Sequence, residues 1–181
     1  MFREIPPPSA KLTYLCENPH NDARVVLSIA QYLAETASAG DVILVEGYPS
    51  GVDVDREKAE SFGMLPEGVN IKGWDNMQLF EEGNKLYDEL DRINAELKSF
   101  QIPDEEKTTL KVYKSGDLLP RIQQTVIKKR NQSLMQTVDV LRKENTDRRI
   151  FVVLGVNHID KDPELVQYSE KFPYAVFKTK I

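Results

Sequence analysis

Apolar residues along this chain gather in two patterns. The first is a set of short, strand-length clusters: Leu12-Thr13-Tyr14-Leu15-Cys16, Val42-Ile43-Leu44-Val45-Glu46, Ile150-Phe151-Val152-Val153-Leu154 and Tyr174-Ala175-Val176-Phe177-Lys178, with a weaker one over residues 69–74. The clusters beginning at Val42 and Ile150 are almost wholly apolar, which predicts strands buried on both faces and hence a mainly parallel sheet. In the second pattern apolar residues recur every three or four positions. Residues 22–37 carry Val25, Val26, Ile29 and Leu33; residues 77–100 carry Leu79, Leu86, Leu90, Ile93 and Leu97; residues 118–145 carry Ile122, Val126, Leu134, Val138 and Leu141. This spacing predicts amphipathic helices, with a shorter one over residues 163–171. Gly40 supplies a stop signal after the first. Residues 101–116 are polar and contain Pro103, which predicts a loop or partly ordered connector. Strand and helix in alternation predict one α/β domain over residues 1–181, with a mainly parallel sheet of about five strands flanked by helices. Residues 1–10, with Pro6-Pro7-Pro8, form a Pro-rich N-terminal arm.

Composition matters here for what it excludes. A chain of 181 residues can bury roughly 70% of its unfolded surface and needs no disulfide or metal to fold. With 24 basic and 29 acidic side chains its net charge is −5, which argues against a nucleic-acid surface or a polybasic membrane patch. A single cysteine, Cys16, excludes an internal disulfide framework and any Cys-rich zinc module. No apolar run approaches the roughly 20 residues of a membrane span, and the N-terminus shows no apolar signal-peptide core. The expectation is a cytoplasmic protein acting on a small-molecule or peptide substrate, without nucleic acid or membrane span. The oligomeric state is left open.

Ligands of parallel α/β sheets bind beyond the carboxyl ends of the strands, so the residues just after each strand are informative. Both histidines of the chain, His20 and His158, come after apolar clusters. Glu46 ends a wholly apolar run, and Asp75 holds the equivalent place after residues 69–74. In a parallel sheet all four converge, a composition suited to acid/base or metal chemistry. Asp75 and Asn157 are candidates for substrate binding. Asp75 is equally explained as the N-cap of the next helix, and Asp22 is read as the cap of the first. Arg130 falls within the apolar stripe between Val126 and Leu134, where a guanidinium must snorkel outward or meet an anion. If the stripe faces the sheet, Arg130 does too, and Glu46 is its expected partner. Phosphate-loop, dinucleotide and H-E-x-x-H motifs are missing, and Ser50 occupies the wrong slot for a G-x-S-x-G elbow. Cys16 is expected to be a small buried hydrophobe rather than a nucleophile.

The ordered set strand–H-N-D, helix, strand–E-G, helix with R-N-x-x-x-M, strand–G-x-x-H resembles the TraB/TIKI superfamily, which includes ChaN-like proteins and erythromycin esterases. The matching residues are His20, Glu46-Gly47, Arg130-Asn131-Gln132-Ser133-Leu134-Met135 and Gly155-Val156-Asn157-His158. Glu17 stands where the first G-x-x-H motif of the family has glycine. The resemblance implies a peptidase- or esterase-like hydrolase whose site residues are His20, Glu46, Arg130 and His158. One of the histidines would activate water, Glu46 would orient it, and Arg130 would hold Glu46 or stabilise an oxyanion. It also implies a metal-assisted form, with His20, Glu46 and His158 holding a divalent ion such as manganese or cobalt. A haem or small-ligand binding protein, and an interaction protein with a vestigial site, are the alternatives on the same scaffold.

Overall fold

The computed structural model describes residues 5–20, 22–56 and 62–179. Five strands, β1 (Leu12–Glu17), β2 (Val42–Pro49), β3 (Asn70–Asp75), β4 (Ile150–Gly155) and β5 (Tyr174–Lys178), form one parallel sheet in the order β3-β2-β4-β1-β5. Among the described residues seven helices accompany them: α1 (Ala23–Thr36), α2 (Met77–Ser99), α3 (Asp104–Ser115), α4 (Leu118–Ile122), α5 (Arg130–Glu144), α6 (Asn157–Asp160) and α7 (Pro163–Ser169). A π-helical segment, Gln123–Lys129, joins α4 to α5. The mainly parallel α/β sheet expected from the strand patterns is present.

Chain direction decides which face each helix covers. The β1–β2 and β2–β3 connections run towards the β3 edge, whereas β3–β4 and β4–β5 run back, so right-handed crossovers send their helices to opposite faces. Alternation along each strand then builds two cores. Leu15, Ile43, Val45, Phe151 and Val153 pack with Val25, Ile29 and Leu33 of α1. Tyr14, Cys16, Leu44, Val152 and Leu154 pack with Leu134, Val138 and Leu141 of α5 and with Leu165 of α7. Full burial of each such aliphatic or aromatic side chain contributes about 1.5–3 kcal/mol.

The stretch expected as a loop, residues 101–116, contains α3. Its apolar stripe is too weak to read, since Ser115 is its one buried residue. Charge placement supports it instead: Asp104, Glu105 and Glu106 lie in its first turn and Lys114 in its last, both favourable to the helix dipole. Lys114 also pairs with Glu96 of α2 and lies over the Phe100 ring.

The stripe on residues 118–145 does not face the sheet throughout, contrary to expectation. Leu134, Val138 and Leu141 do, but Ile122 and Val126 pack with Leu86 of α2 in a separate cluster. The wider turns of the π-helical segment rotate the helix between the two surfaces, and Arg130 sits where the change occurs. Gly83 allows this approach: a Cβ there would lie 3.0 Å from Val126 Cγ2.

A second irregularity opens the sheet. β1 pairs with β4 over its whole length, but β2 pairs with β4 only through Val42, Ile43 and Leu44. Beyond that point β2 diverges, with an irregular register against β3 between Val45 and Pro49. Gly73 permits the irregularity, because a Cβ there would lie 2.3 Å from the carbonyl oxygens of Tyr48 and Pro49. The Trp74 indole N–H reaches across to the Val153 carbonyl at 3.3 Å, past the end of the β2–β4 ladder. The crevice lies where connections leave in opposite directions, the usual ligand position in such folds.

Candidate functional site

Glu46 lies in the irregular part of β2 and points to the crevice. Gly47, at φ +82°, turns the chain there, and its N–H donates to Asp75 Oδ2 at 2.7 Å. Asp75 therefore does not cap α2. That role falls to Asn76, whose side chain accepts from Leu79 N at 3.2 Å. Nor does Asp75 line the cleft as expected of a substrate-binding residue. It is buried behind Arg130, which donates to it through Nε at 2.7 Å and Nη2 at 2.8 Å. Arg130 Nη2 also donates to Glu46 Oε1 at 2.6 Å. The guanidinium carbon lies 5.3 Å from the Trp74 ring centroid and 5.1 Å from that of Phe80, which fixes its plane further. Buried charge is tolerated here because the guanidinium and both carboxylates are joined by hydrogen bonds.

Two imidazoles flank Glu46. His20 comes after β1, and its Nδ1 lies 2.7 Å from Glu17 Oε2. Its ring lies over Gly155, where a Cβ would stand 3.1 Å from His20 Nδ1. His158 is in α6, buried, with its ring edge-on to Trp74 at 5.5 Å. Its Nδ1 lies 2.6 Å from Asn131 Oδ1. The Nε2 atoms face Glu46 from two sides: His20 Nε2 is 3.8 Å from Oε2, and His158 Nε2 is 3.8 Å from Oε1. Among the described residues Glu46 Oε2 is buried and accepts no hydrogen bond.

These groups form the floor of a cleft of about 260 Å³. Phe80, Asn84 and Tyr87 of α2 and Val126 and Ile127 of the π-helical segment supply its walls, and Asn157 lines it too. Burial by itself would raise the Glu46 pKa. His158 and His20 when protonated, together with Arg130, outweigh it and hold the carboxyl below the usual carboxylate range. The hydrogen bond to Glu17 pushes His20 above the ordinary imidazole value, partly opposed by burial and reinforced by the Glu46 charge.

His20, Glu46, Arg130, His158 and Asn157 thus share one cleft, with Asp75 behind it. Residue patterns alone did not single out Glu17, Asn131 or Asp162. Glu17 had a signal, a carboxylate three positions before a histidine at a strand end. Asn131 enters only through the R-N-x-x-x-M motif, which does not point to His158, and Asp162, four positions after His158, is linked to it only through Asn131. Cys16 is buried in the core and its thiol is pushed up to about 12 by burial, which removes it as a nucleophile.

His20, Glu46 and His158 were also expected as ligands of a divalent metal. Among the described residues no group of three or more His, Cys, Asp or Glu side chains is arranged to hold a metal ion. Glu46 Oε1, the oxygen facing His158, is already bonded to the Arg130 cation.

The fold and site together define an α/β protein with a His–Glu–Arg–His cluster at its strand ends. In comparisons with protein-family models, curated proteins and solved structures, nothing matches the chain. Among the described residues no helix is long and apolar enough to cross a membrane.

Proposed function

We propose that this protein is a hydrolase that uses His158, His20 and Glu46 to cleave a small, uncharged ester or amide, without requiring a metal. The observation that carries this reading is Glu46 Oε2, buried, unpartnered among the described residues and 3.8 Å from His20 Nε2. Atoms at this distance are too far apart to hydrogen-bond directly and are suited to sharing a water. A water hydrogen-bonded to Glu46 would pass a proton to His158 Nε2 as its oxygen bonds to the substrate carbonyl carbon. The bond to the leaving group then breaks, and His20 donates the proton that group needs. Groups placed for such transfers typically contribute about 10²–10⁴ in rate.

Charge supports an uncharged substrate. Nε and Nη2 of Arg130 are engaged by two carboxylates, so its charge is already balanced within the protein, and Glu46 presents negative charge to the cleft. Size supports a small group rather than haem, since about 260 Å³ lies below the roughly 300–1,000 Å³ typical of drug-sized ligand pockets. The ordered motifs resembling the TraB/TIKI superfamily favour the same reaction class.

The test is turnover of a panel of uncharged and anionic chromogenic esters and amides by chelator-treated protein. Hydrolysis of the uncharged members, reduced at least about 10²-fold in both Glu46→Gln and His158→Gln, is the expected result. No turnover, or turnover indifferent to both substitutions, would overturn the reading. Activity restored only by manganese or cobalt would replace it with the metal-assisted form.

A further inference from the structure

We infer that Asn131 is a positioning residue that holds the His158 proton on Nδ1, so that Nε2 faces the cleft as a lone pair, and that Asp162 fixes which way Asn131 points. The surroundings of the amide leave it one orientation. Asn131 Nδ2 lies 2.7 Å from Asp162 Oδ2 and 3.0 Å from the His158 carbonyl oxygen. A carboxylate and a carbonyl only accept, so the end of the amide facing both must be its NH₂. The other end is then Oδ1, which also only accepts, 2.6 Å from His158 Nδ1. Nδ1 must therefore carry hydrogen, and in a neutral imidazole that leaves Nε2 bare.

Asp162 is itself held. It is buried, and its Oδ1 accepts from Glu164 N at 3.1 Å as the cap of α7. The chain of contacts thus runs from a helix cap through an amide to an imidazole. An unconstrained neutral imidazole carries its proton mainly on Nε2, so the contact reverses the intrinsic preference. The use of the bare Nε2 as a proton acceptor rests on the hydrolase reading. The tautomer itself does not, and it can be read without any substrate.

The experiment is a long-range proton–nitrogen correlation spectrum of the full chain labelled with ¹⁵N-histidine, recorded at a pH where both imidazoles are neutral. A His20→Gln sample assigns the two rings. Wild type is expected to show His158 with a protonated Nδ1 and a bare Nε2. Asn131→Leu should move the proton mainly to Nε2 and reduce kcat/KM about 10²–10⁴-fold if His158 is the base. The exchange Asn131→Asp with Asp162→Asn keeps an acceptor at Nδ1 and should retain the wild-type tautomer, at lower stability because a carboxylate oxygen then faces the His158 carbonyl. A wild-type His158 protonated on Nε2, or an Asn131→Leu protein that keeps the proton on Nδ1, would overturn the inference. Should Asn131→Leu not fold, the wild-type and exchange spectra still decide it. Absent hydrolysis with an unchanged tautomer result would count against the hydrolase reading alone.

Discussion

Arg130 Nη2 donates to Glu46 Oε1 at 2.6 Å across a sequence separation of 84 residues, and the same nitrogen donates to Asp75 at 2.8 Å. The contact joins the helical layer to the irregular end of β2 and keeps a carboxylate ionised beside two imidazoles. Removing the guanidinium would leave Asp75 buried without its principal charge partner.

Arg130→Ala is therefore expected to cost about 3–5 kcal/mol of stability, the range for breaking a buried ion pair. Lys129→Ala, at an exposed neighbour, should stay within about 0.5 kcal/mol. Arg130→Lys should not restore wild-type stability, because an ammonium cannot reproduce the contacts made by Nε and Nη2. Denaturant melts of the three variants check this. Equal midpoints for Arg130→Ala and Lys129→Ala would show that the ion pairs contribute nothing.

Glu46 supplies a pH signature. Its folded-state pKa is depressed, so its stabilising contribution is present above the unfolded carboxylate value and is lost as pH falls towards the folded one. Stability should decline on the acid side, and Glu46→Gln should flatten that decline because an amide does not titrate there. Melting temperatures of both proteins between neutral and acid pH measure the difference. Parallel curves would refute it.

The sign is opposite for His20, whose folded-state pKa is raised. Its contribution is present below the unfolded imidazole value and is lost as pH rises through the folded one. Glu17→Gln should lower the His20 pKa, since an amide neither bears the charge nor must accept. Glu17→Gly, which restores the residue expected from the family resemblance, should lower it further. A proton NMR titration of the His20 ring reads both shifts, and an unchanged midpoint would remove Glu17 from the site.

Gly155→Ala tests the packing of that ring. The added Cβ would stand 3.1 Å from His20 Nδ1, tighter than ordinary contact, and the half-exposed ring can swing away from it. The expected outcome is little change in melting temperature together with a displaced His20 signal and reduced turnover. A large loss of stability with an unmoved ring would mean that the backbone, not His20, absorbs the contact.

The strands, most helices and the convergence of His20, Glu46 and His158 were legible because they arise from local pattern. Unbroken apolar runs announce buried parallel strands, and in a parallel sheet every strand delivers its C-terminal residue to the same edge. The position of Arg130 in an apolar row was legible too, since a charge there must find an anion or reach water. Three other features needed the tertiary structure. The helix α3 is stabilised by charge placement and contacts with α2, which leave no strong stripe. Seen as periodicity, Ile122 to Leu141 is one face; only the π-helical segment divides it between α2 and the sheet. The partners of the two imidazoles divide in the same way. Glu17 lies three residues from His20 and is within reach of local reasoning, whereas Asn131 meets His158 from α5 and Asp162 acts on it only through Asn131. Sequence determined which groups could do chemistry, because residue type and strand-end placement are local properties. Which nitrogen of His158 carries the proton was decided by hydrogen bonds that exist only once α5, α6 and α7 have packed together.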